Sequence, residues 1–432
     1  MSTSRSLSAG ALVLSSLVLL PAAMAVPPTY DLYPAPAPLG QSAGEPSLGI
    51  NWVTGGVMYI AGLETLRVTF DDTVAPATAS WQDVTFLTEG ITTLDPILFT
   101  DSQTGRTFVA QLAGPASLMA FTDNDGGSWL PSASGLVTGI DHQTVGGGPF
   151  APGLSGVSYP HAVYYCSQGI ALASCAVSLT GGLVFNPPVP LYTLLSCGGL
   201  HGHVKVGPDG TAYVPNKSCG SNQAVVVSAN NGLSWTVRKV PGSTSGSSDP
   251  SVGIASDGTA YFGYVGADGH AKAAVSHDRG AHWTAPQDVG ASFGIQNAAF
   301  PSVVAGDPDR AAVAFLGTPT GGAGTSSDPA FPGVWHLYVA TTTNGGATWT
   351  TVDATPGDPV QRGSICLDGT TCGASRNLLD FMDIGVDAEG RVLVGFADGC
   401  VGACVSAGPN SNTALGTIAR QSGGPRLFAA FD

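Results

Sequence analysis

One eight-residue pattern constrains what this chain can fold into more than any other feature of the sequence. It has a hydroxyl residue first, Asn or Asp third, Gly fifth and Trp eighth, and it occurs at residues 122–129, 228–235, 276–283 and 342–349. Asn and Asp accept hydrogen bonds from nearby backbone N–H groups, and Gly adopts positive φ at no steric cost. The pattern therefore predicts a tight turn between two strands, after which the Trp side chain returns to a core.

The structural residues of this turn are its Asn or Asp and its Trp: Asn124, Trp129, Asn230, Trp235, Asp278, Trp283, Asn344 and Trp349. Composition agrees with a chain made of strands. With 60 Gly, 31 Pro and 10% charged residues, the chain has too many helix breakers for a helical protein, while its 43% hydrophobic content is enough for a core. Together these observations predict an all-β repeat architecture.

A second repeated phrase marks where a strand begins. In its clearest form an acidic residue, Pro and a small residue precede alternating apolar positions, as at residues 249–255. Related phrases begin at seven positions: Glu45, Asp95, Asp141, His201, Asp249, Phe300 and Asp380. Successive starts are 46 to 80 residues apart, which leaves room for about four short strands in each unit. Because one such sheet cannot bury both faces, the units are expected to pack radially into one domain.

The repeated turn resembles the Asp-box (BNR) repeat of sialidases and related β-propellers. In that family the box closes the hairpin between the third and fourth strands of a blade, and it lies on the face away from the active site. The resemblance implies an all-β Asp-box β-propeller of the sialidase superfamily, and the seven strand starts predict seven four-stranded blades. Sialidases have six blades, so six is the alternative number.

The N-terminal residues are typical of a secretory signal peptide. Arg5 precedes an apolar run at residues 11–20 and small residues at 23–25, so we expect residues 1–25 to be cleaved. An uncleaved membrane anchor is the alternative. Residues 26–43 form a Pro-rich lead-in, either a linker or an edge strand, and residues 44–432 form one propeller domain. We expect a secreted monomer without a membrane span in the mature chain.

Charge and cysteine spacing indicate the partners and the compartment. Loss of Arg5 with the leader lowers the 15 basic residues to 14 against 30 acidic ones, a net charge of −16, which argues against nucleic acid or an anionic membrane as a partner. The cysteines form neighbouring pairs that indicate disulfides in an oxidising compartment: Cys166 with Cys175, Cys197 with Cys219, Cys366 with Cys372, and Cys400 with Cys404. A zinc site is the alternative, but the last two pairs lack the spacing usual for zinc ligands.

Strand order within a blade divides the loops between two faces. If the repeated turn joins strands three and four, the connection between strands one and two lies on the same face, and the other connections lie opposite. All four cysteine pairs and the two longest insertions, residues 317–334 and 353–379, are predicted on that opposite face. Long disulfide-braced loops on one face of a rigid scaffold indicate a binding site.

The first strand of each unit starts on this face near the propeller axis, so its leading residues are predicted to surround the channel mouth. The ligand-binding candidates there are Glu45, Asp95, His201, His203, Asp249 and, on a nearby loop, Arg362. Clustered carboxylates suit Ca²⁺, or glycoside hydrolysis by a carboxylate pair. Alternatively, an acid before Pro simply caps the strand entry by accepting bonds from backbone N–H groups.

The third and seventh starts depart from the repeated phrase, which makes their surroundings the stronger candidates for a catalytic or binding centre: Asp141, His142, Arg376, Asp380 and Asp383. Asp380 and Asp383 are three residues apart, so on a regular strand only one can face the mouth and the other is expected to be structural. Substituting Asp380 or His142 is expected to weaken ligand binding without loss of stability.

The resemblance to sialidases does not extend to their catalytic residues. That family holds the substrate carboxylate with three arginines and uses a Tyr activated by Glu, with Asp as acid/base, whereas here only Arg362 and Arg376 lie on loops of the expected face. Whether the chain is an enzyme is left open. We expect binding of a glycan or another extracellular ligand on the disulfide-braced face, with an exo-sialidase-like glycoside hydrolase as the alternative. No cofactor is required, although the acidic mouth would suit Ca²⁺.

Overall fold

The computed structural model describes residues 1, 26–86, 94–113, 116–132, 141–322 and 327–432, so the predicted signal peptide, apart from Met1, lies outside the described residues. The described part consists of strands, loops and short 3₁₀ helices. Its strands form seven antiparallel sheets arranged as the blades of a ring, each built from four strands, with a fifth short strand added to one of them. The predicted all-β seven-bladed propeller is confirmed, and the six-bladed alternative is wrong.

The strands of the first four blades follow one another along the chain, after a strand β1 (Thr29–Pro34) that belongs to blade 7. Blade 1 contains β2 (Ser47–Ile50), β3 (Val57–Ala61), β4 (Glu64–Asp71) and β5 (Thr78–Asp83). Blade 2 contains β6 (Leu94–Thr100), β7 (Thr107–Ala113), β8 (Ala116–Thr122) and β9 (Leu130–Pro131). Blade 3 contains β10 (Asp141–Pro149), β11 (His161–Gln168), β12 (Leu172–Ser178) and β13 (Val189–Thr193). Blade 4 contains β14 (Lys205–Val206), β15 (Ala212–Cys219), β16 (Asn222–Ser228) and β17 (Thr236–Lys239).

The last three blades complete the ring. Blade 5 contains β18 (Ser251–Ile254), β19 (Ala260–Val265), β20 (Ala271–Ser276) and β21 (Gln287–Asp288). Blade 6 contains β22 (Asn297–Ala305), β23 (Ala311–Thr318), β24 (Val334–Thr342) and β25 (Thr350–Asp353), with β26 (Gln361–Arg362) paired to β24. Blade 7 contains β27 (Asp383–Val386), β28 (Val392–Asp398), β29 (Leu415–Gly423) and β1. The 3₁₀ helices are Ala291–Phe293, Gly369–Thr371, Ala374–Arg376, Gly402–Cys404 and Ala429–Phe431, and no helix in the described residues is long and apolar enough to cross a membrane.

The Pro-rich lead-in closes the ring. β1 runs antiparallel to β29, with Leu32 opposite Ala419, and forms the outermost strand of blade 7. An outermost position explains how the prolines are tolerated, because an edge strand has one row of N–H groups that needs no partner in the sheet. The propeller therefore includes residues before position 44, and the two ends of the described chain meet in one sheet.

The repeated turns join the third strand of a blade to the fourth, in blades 2, 4, 5 and 6. In blade 5, Ser276 Oγ donates to Asp278 Oδ1 at 3.0 Å and accepts the N–H of Gly280 at 2.8 Å. The same carboxylate oxygen accepts the N–H of His282 at 2.8 Å. Gly280 has a φ of +83°, which a residue with a side chain adopts only with strain. These contacts explain why the pattern needs a hydroxyl, an Asn or Asp, and a Gly.

The Trp of each repeated turn packs at the seam between its own blade and the preceding blade. Trp235 of blade 4 meets Tyr164 of blade 3 edge-to-face, with ring centroids 6.2 Å apart. Trp349 of blade 6 meets Tyr261 of blade 5 in the same way at 6.4 Å. All four Trp side chains are half-buried. The repeated turn therefore joins neighbouring blades, in addition to closing its own hairpin.

The four predicted disulfides are confirmed, and the described residues contain no free cysteine. Cys166–Cys175 links residues that lie directly opposite each other on β11 and β12. Cys400–Cys404 lies in the connection from β28 to β29, and Cys366–Cys372 lies in the approach to blade 7. Cys197–Cys219 ties the approach to blade 4 to the end of β15. Each bridge therefore constrains a loop within one blade or leading into it.

Replacing Trp235 by Ala is expected to lower the free energy of unfolding by about 3 kcal/mol, because the indole fills a seam between two blades but is only half-buried. Leu233→Ala is the matched control, since Leu233 lies in the same turn and is 72% exposed; its effect should stay within about 0.5 kcal/mol. Midpoints of thermal and chemical unfolding measure both. Equal effects for the two variants would show that the Trp does not join the blades.

Candidate functional site

A cavity of about 460 Å³ lies at the channel mouth, where the first strands of several blades begin. Its ionisable lining comes from blades 1, 2, 3, 4, 5 and 7: Glu45, Asp95, Asp141, His142, Lys217, Asp249, Arg376 and Asp380. Leu367 and Gly369 also line it, from the segment that Cys366–Cys372 closes. The structure thus gathers most of the residues that the sequence pointed to, and it adds Lys217.

Irregular backbone at the strand starts positions several of these side chains. Glu45, Asp95 and His142 have φ values of +56°, +48° and +49°, in the left-handed region that residues with side chains rarely adopt. The register of β6 with β7, and of β10 with β11, shifts beside Asp95 and His142. Such bulges redirect a side chain relative to a regular strand. Backbone strain of this kind persists only where surrounding contacts hold it.

A buried ion pair crosses the floor of the cavity from blade 3 to blade 5. His142 Nδ1 lies 2.9 Å from Asp249 Oδ2, and Lys217 Nζ of blade 4 lies 3.1 Å from Asp249 Oδ1. Burial disfavours the charged imidazole, but Asp249, Asp141 and Asp95 outweigh that effect and raise the pKa of His142 to about 10. Burial also opposes ionisation of Asp249, yet His142 and Lys217 hold its pKa well below the usual range. His142 is therefore a cation at neutral pH.

Glu45 and Asp380 form a carboxyl pair on another wall. Arg376 holds Asp380 through two hydrogen bonds of 2.7 and 2.6 Å, which fixes the Asp380 carboxylate. Glu45 is 4% exposed, and its burial, together with the charges of Asp95 and Asp380, raises its pKa well above the usual range. A protonated Glu45 can donate a hydrogen bond to Asp380, which relieves the repulsion between the two groups.

Asp95 and Asp141 form a second carboxyl pair beside the imidazole. Burial is the main cause that raises the pKa of Asp95 to about 6, with a contribution from Asp141, while the His142 cation opposes the rise. The backbone N–H of His142 donates to Asp95 Oδ2 at 2.9 Å and to Asp141 Oδ1 at 3.0 Å. The Asp141 side chain is 47% exposed, so it is the carboxyl of this pair that an incoming ligand can reach.

His201 and His203 lie below the cavity, where the channel narrows to a space of about 20 Å³. Phe381 packs edge-to-face against His203, with ring centroids 4.7 Å apart. Burial lowers the pKa of both histidines to about 4, so both are neutral at physiological pH. Nε2 of His201 is buried without a hydrogen-bond partner in the described residues, and the narrow space is large enough for a single water.

Two predicted candidates are engaged elsewhere. Asp383 is 4% exposed and accepts the Ser47 hydroxyl at 2.9 Å and the Leu48 N–H at 3.0 Å, so it ties blade 7 to blade 1. Arg362 Nε donates to the Cys404 carbonyl at 2.7 Å, which directs the guanidinium at a loop and leaves it out of the cavity lining. Of the two aspartates three residues apart, Asp380 lines the mouth and Asp383 is structural.

Within the described residues, the lining of the cavity does not match the catalytic set that the resemblance to sialidases implied. Among the described residues, Arg376 is the single arginine in its lining, and Asp380 occupies that guanidinium. No tyrosine lines it within the described part of the chain. The same part holds no group of three or more His, Cys, Asp or Glu side chains arranged to bind a metal ion. The geometry is therefore that of a polar pocket whose charges neutralise one another.

Lys217 is the residue that sequence reasoning missed. It lies in β15 beside residues that are buried in the blade, and its half-buried ammonium reaches Asp249 and the Ser247 carbonyl. A lysine near the end of a second strand whose first residues are apolar was the available signal. Its partner, however, belongs to the next blade, so nothing in the local sequence indicated where the ammonium would lie.

Comparisons with known proteins bear on the fold. No family model matches the chain, and no curated protein matches it. Similar solved structures include an Aleuria aurantia lectin mutant in complex with Fucα1-6GlcNAc, at 11% identity over 72% of this chain and 94% of the lectin, with a TM-score of 0.44. The Niastella koreensis GH74 enzyme is 16% identical over 86% of this chain and 54% of its own, with a TM-score of 0.49. Hadza microbial sialidase Hz136 is 13% identical over 88% of this chain and 65% of its own, with a TM-score of 0.39.

The chain is a seven-bladed β-propeller. The resemblance that the repeated turns implied is thereby confirmed at the level of the fold. Identities of this size concern the fold alone, so the function has to be argued from the cavity.

The raised pKa of Asp95 predicts a pH dependence of stability. Folding takes up a proton at this carboxyl between pH about 4 and 6, so the stability it contributes falls as the pH rises through 6. Asp95→Asn supplies permanent amide donors to Asp141 and should therefore raise the melting temperature at pH 8 more than at pH 4. Asp123→Asn, at an exposed carboxylate on the other face, is the control, and it should not raise the melting temperature more at pH 8 than at pH 4. An equal change at both pH values in Asp95→Asn would contradict the raised pKa of Asp95.

Replacing His142 by Ala is expected to destabilise the fold by about 3 kcal/mol, because a buried Asp249 carboxylate loses its closest cation. The sequence-based expectation that His142 could be replaced without loss of stability is therefore corrected by its burial. Adding Asp249→Asn to the variant should recover part of the loss, and melting temperatures of the single and double variants measure this. Wild-type stability in the single variant would show that the ion pair contributes nothing.

Proposed function

We propose that this protein binds a glycan, or another polyhydroxylated extracellular ligand, in the mouth cavity. The observation that carries the proposal is the convergence of hydrogen-bonding groups from six blades on one space of about 460 Å³. Sugar hydroxyls both donate and accept, and this wall offers carboxylates as acceptors with Lys217 and Arg376 as donors. The volume falls within the roughly 300–1,000 Å³ that small-molecule sites occupy.

The internal pairing of the charges supports a neutral ligand over a strongly anionic one. Arg376 is bound by Asp380 and Lys217 by Asp249, so neither cation is left to neutralise a ligand carboxylate. A ligand hydroxyl group needs a hydrogen-bond partner but no opposite charge. The paired groups can still supply hydrogen bonds from their remaining donors and acceptors. Because the groups already hold one another, little side-chain freedom is lost when a ligand binds.

The rim of the cavity and the cysteines fit an extracellular setting. The Cys366–Cys372 bridge closes the segment that contributes Leu367 and Gly369 to the lining, and such bridges persist in oxidising compartments. A signal peptide at residues 1–25 would deliver the chain there. We infer that the disulfide-braced loops hold the rim in its binding geometry.

One observation favours glycoside hydrolysis as a second candidate function. Glu45 has a strongly raised pKa and lies beside the fixed carboxylate of Asp380, and a carboxyl group that keeps its proton to a higher pH than usual is what a general acid requires. Hydrolysis also needs a second carboxylate across the scissile bond, about 5 to 9 Å from the acid. Asp141, the most exposed carboxyl of the pairs, is the residue we assign to that role.

The test compares Asp141→Asn with the matched control Asp123→Asn on a glycan array and by titration calorimetry with the best array ligand. Both carboxylates are well exposed, at 47% and 57%, but only Asp141 lines the cavity. Asp141→Asn should weaken binding at least tenfold, because a carboxylate acceptor is lost, and the variant should fold, because the amide oxygen can still accept the His142 N–H. The control should bind as wild type.

Three outcomes separate the alternatives. Hydrolysis of a glycoside panel that Glu45→Gln abolishes, with binding retained, would establish the enzyme. A melting temperature that Ca²⁺ raises and chelator lowers would identify the carboxyl cluster as a cation site. Wild-type glycan binding in Asp141→Asn, with no effect of Ca²⁺, would show that this cavity is not the ligand site.

A further inference from the structure

A second cavity, of about 300 Å³, lies at the opposite end of the channel. It is formed where the first strands of the blades end, so it shares the face of the repeated turns. Its lining differs in character from that of the mouth. Aromatic rings of Trp52, Phe99 and Phe428 contribute to its wall, and its ionisable groups are Asp101 and His161. Nothing in the proposed glycan site requires this second space.

The indole of Trp52 is held by its edge while part of its surface stays open. Trp52 Nε1 donates to the Val386 carbonyl at 2.8 Å, which satisfies its polar atom. Phe428 packs against it edge-to-face, with centroids 5.4 Å apart and planes at 83°. Yet Trp52 remains 38% exposed. A large ring that is fixed in orientation but left uncovered can stack against a ligand at little cost in side-chain freedom.

A polar corner faces this aromatic wall. The Asp101 carboxylate accepts the Tyr159 hydroxyl at 2.6 Å, the His161 Nδ1 at 2.8 Å and the Gln103 N–H at 3.1 Å. Burial alone would raise the pKa of Asp101, but these hydrogen bonds outweigh it and lower the pKa, so the group is a carboxylate. A carboxylate keeps the proton on Nδ1 of His161, and a neutral ring then has its lone pair on Nε2.

Nε2 of His161 has no hydrogen-bond partner among the described residues, and the side chain lines the cavity. His161 contributes most to holding the pKa of Asp101 down, but without the imidazole Asp101 would keep the hydrogen bonds from Tyr159 and Gln103. The arrangement leaves one oriented acceptor beside one open aromatic face. That combination is what a ring with an apolar face and a projecting hydroxyl would use.

We propose that this lower cavity is a second ligand site, for a neutral sugar ring of the pyranose type. The apolar face of the sugar stacks on Trp52, and one sugar hydroxyl donates to Nε2 of His161. The lining of the lower cavity supports a neutral ligand, because among the described residues it includes no Lys or Arg and its Asp101 carboxylate already accepts three hydrogen bonds.

The test uses the whole chain and a panel of neutral methyl pyranosides of the gluco, galacto, manno and fuco series. Saturation-transfer NMR identifies the ligand that binds, and a titration gives its dissociation constant. We expect Trp52→Ala and His161→Leu each to weaken that binding at least tenfold, and Trp52→Phe, which keeps a smaller ring, to weaken it less. Asp101 retains two donors in His161→Leu, so that variant should fold.

Two controls make the result specific. Leu233→Ala removes a 72% exposed apolar side chain on the same face outside the cavity and should leave the dissociation constant unchanged. Asp141→Asn alters the mouth cavity alone, so binding that survives this variant is independent of the function proposed there. The proposal is overturned if no pyranoside binds, or if Trp52→Ala and His161→Leu bind within twofold of wild type.

Discussion

Closure of the ring is the constraint on which every other feature of this propeller depends. Each blade contacts chiefly its neighbours, so an open ring would leave the faces of its two end blades uncovered. Here β1 pairs with β29 and joins the two ends of the described chain in blade 7. Arg420 of that blade binds Asp72 of blade 1 at 2.5 and 2.8 Å, and the Tyr59 hydroxyl donates to the Phe396 carbonyl at 2.9 Å. Both axial cavities exist only because this seam is closed.

The fold could be predicted because its determinants are local. A hydroxyl, an Asn or Asp and a Gly within five residues define one turn through contacts among themselves, as Ser276, Asp278 and Gly280 show. Adjacent cysteines likewise meet within one blade or its approach. The pairing of β1 was less accessible, because alternating prolines hide a strand whose partner is almost 400 residues away.

The candidate site could be located but not interpreted from sequence. Strand starts converge on an axis in any propeller, which is why Glu45, Asp95 and Asp141 could be assigned to one mouth. The pairing of charged side chains depends on how neighbouring blades are placed in space, as the ion pair of His142 and Asp249 shows. Asp249 precedes Pro in the repeated phrase that is typical of a strand cap. No local sequence pattern distinguishes an Asp that caps a strand from an Asp in a buried ion pair. The same reasoning explains why the position of Lys217 was not foreseen.

The crowding of carboxyls at the mouth has a cost that function explains better than stability. Because the pKa values of Glu45 and Asp95 are raised in the folded protein, ionisation of these carboxyls as the pH rises lowers the stability of the fold. Apolar side chains at the same strand starts would fill the space without that loss, as they do along the strands themselves. At the other end of the channel no comparable cost arises, since Asp101 is fully hydrogen-bonded. The carboxyls at the mouth therefore lower the stability of the fold. Residues that lower stability and also line a cavity are those expected to bind a ligand.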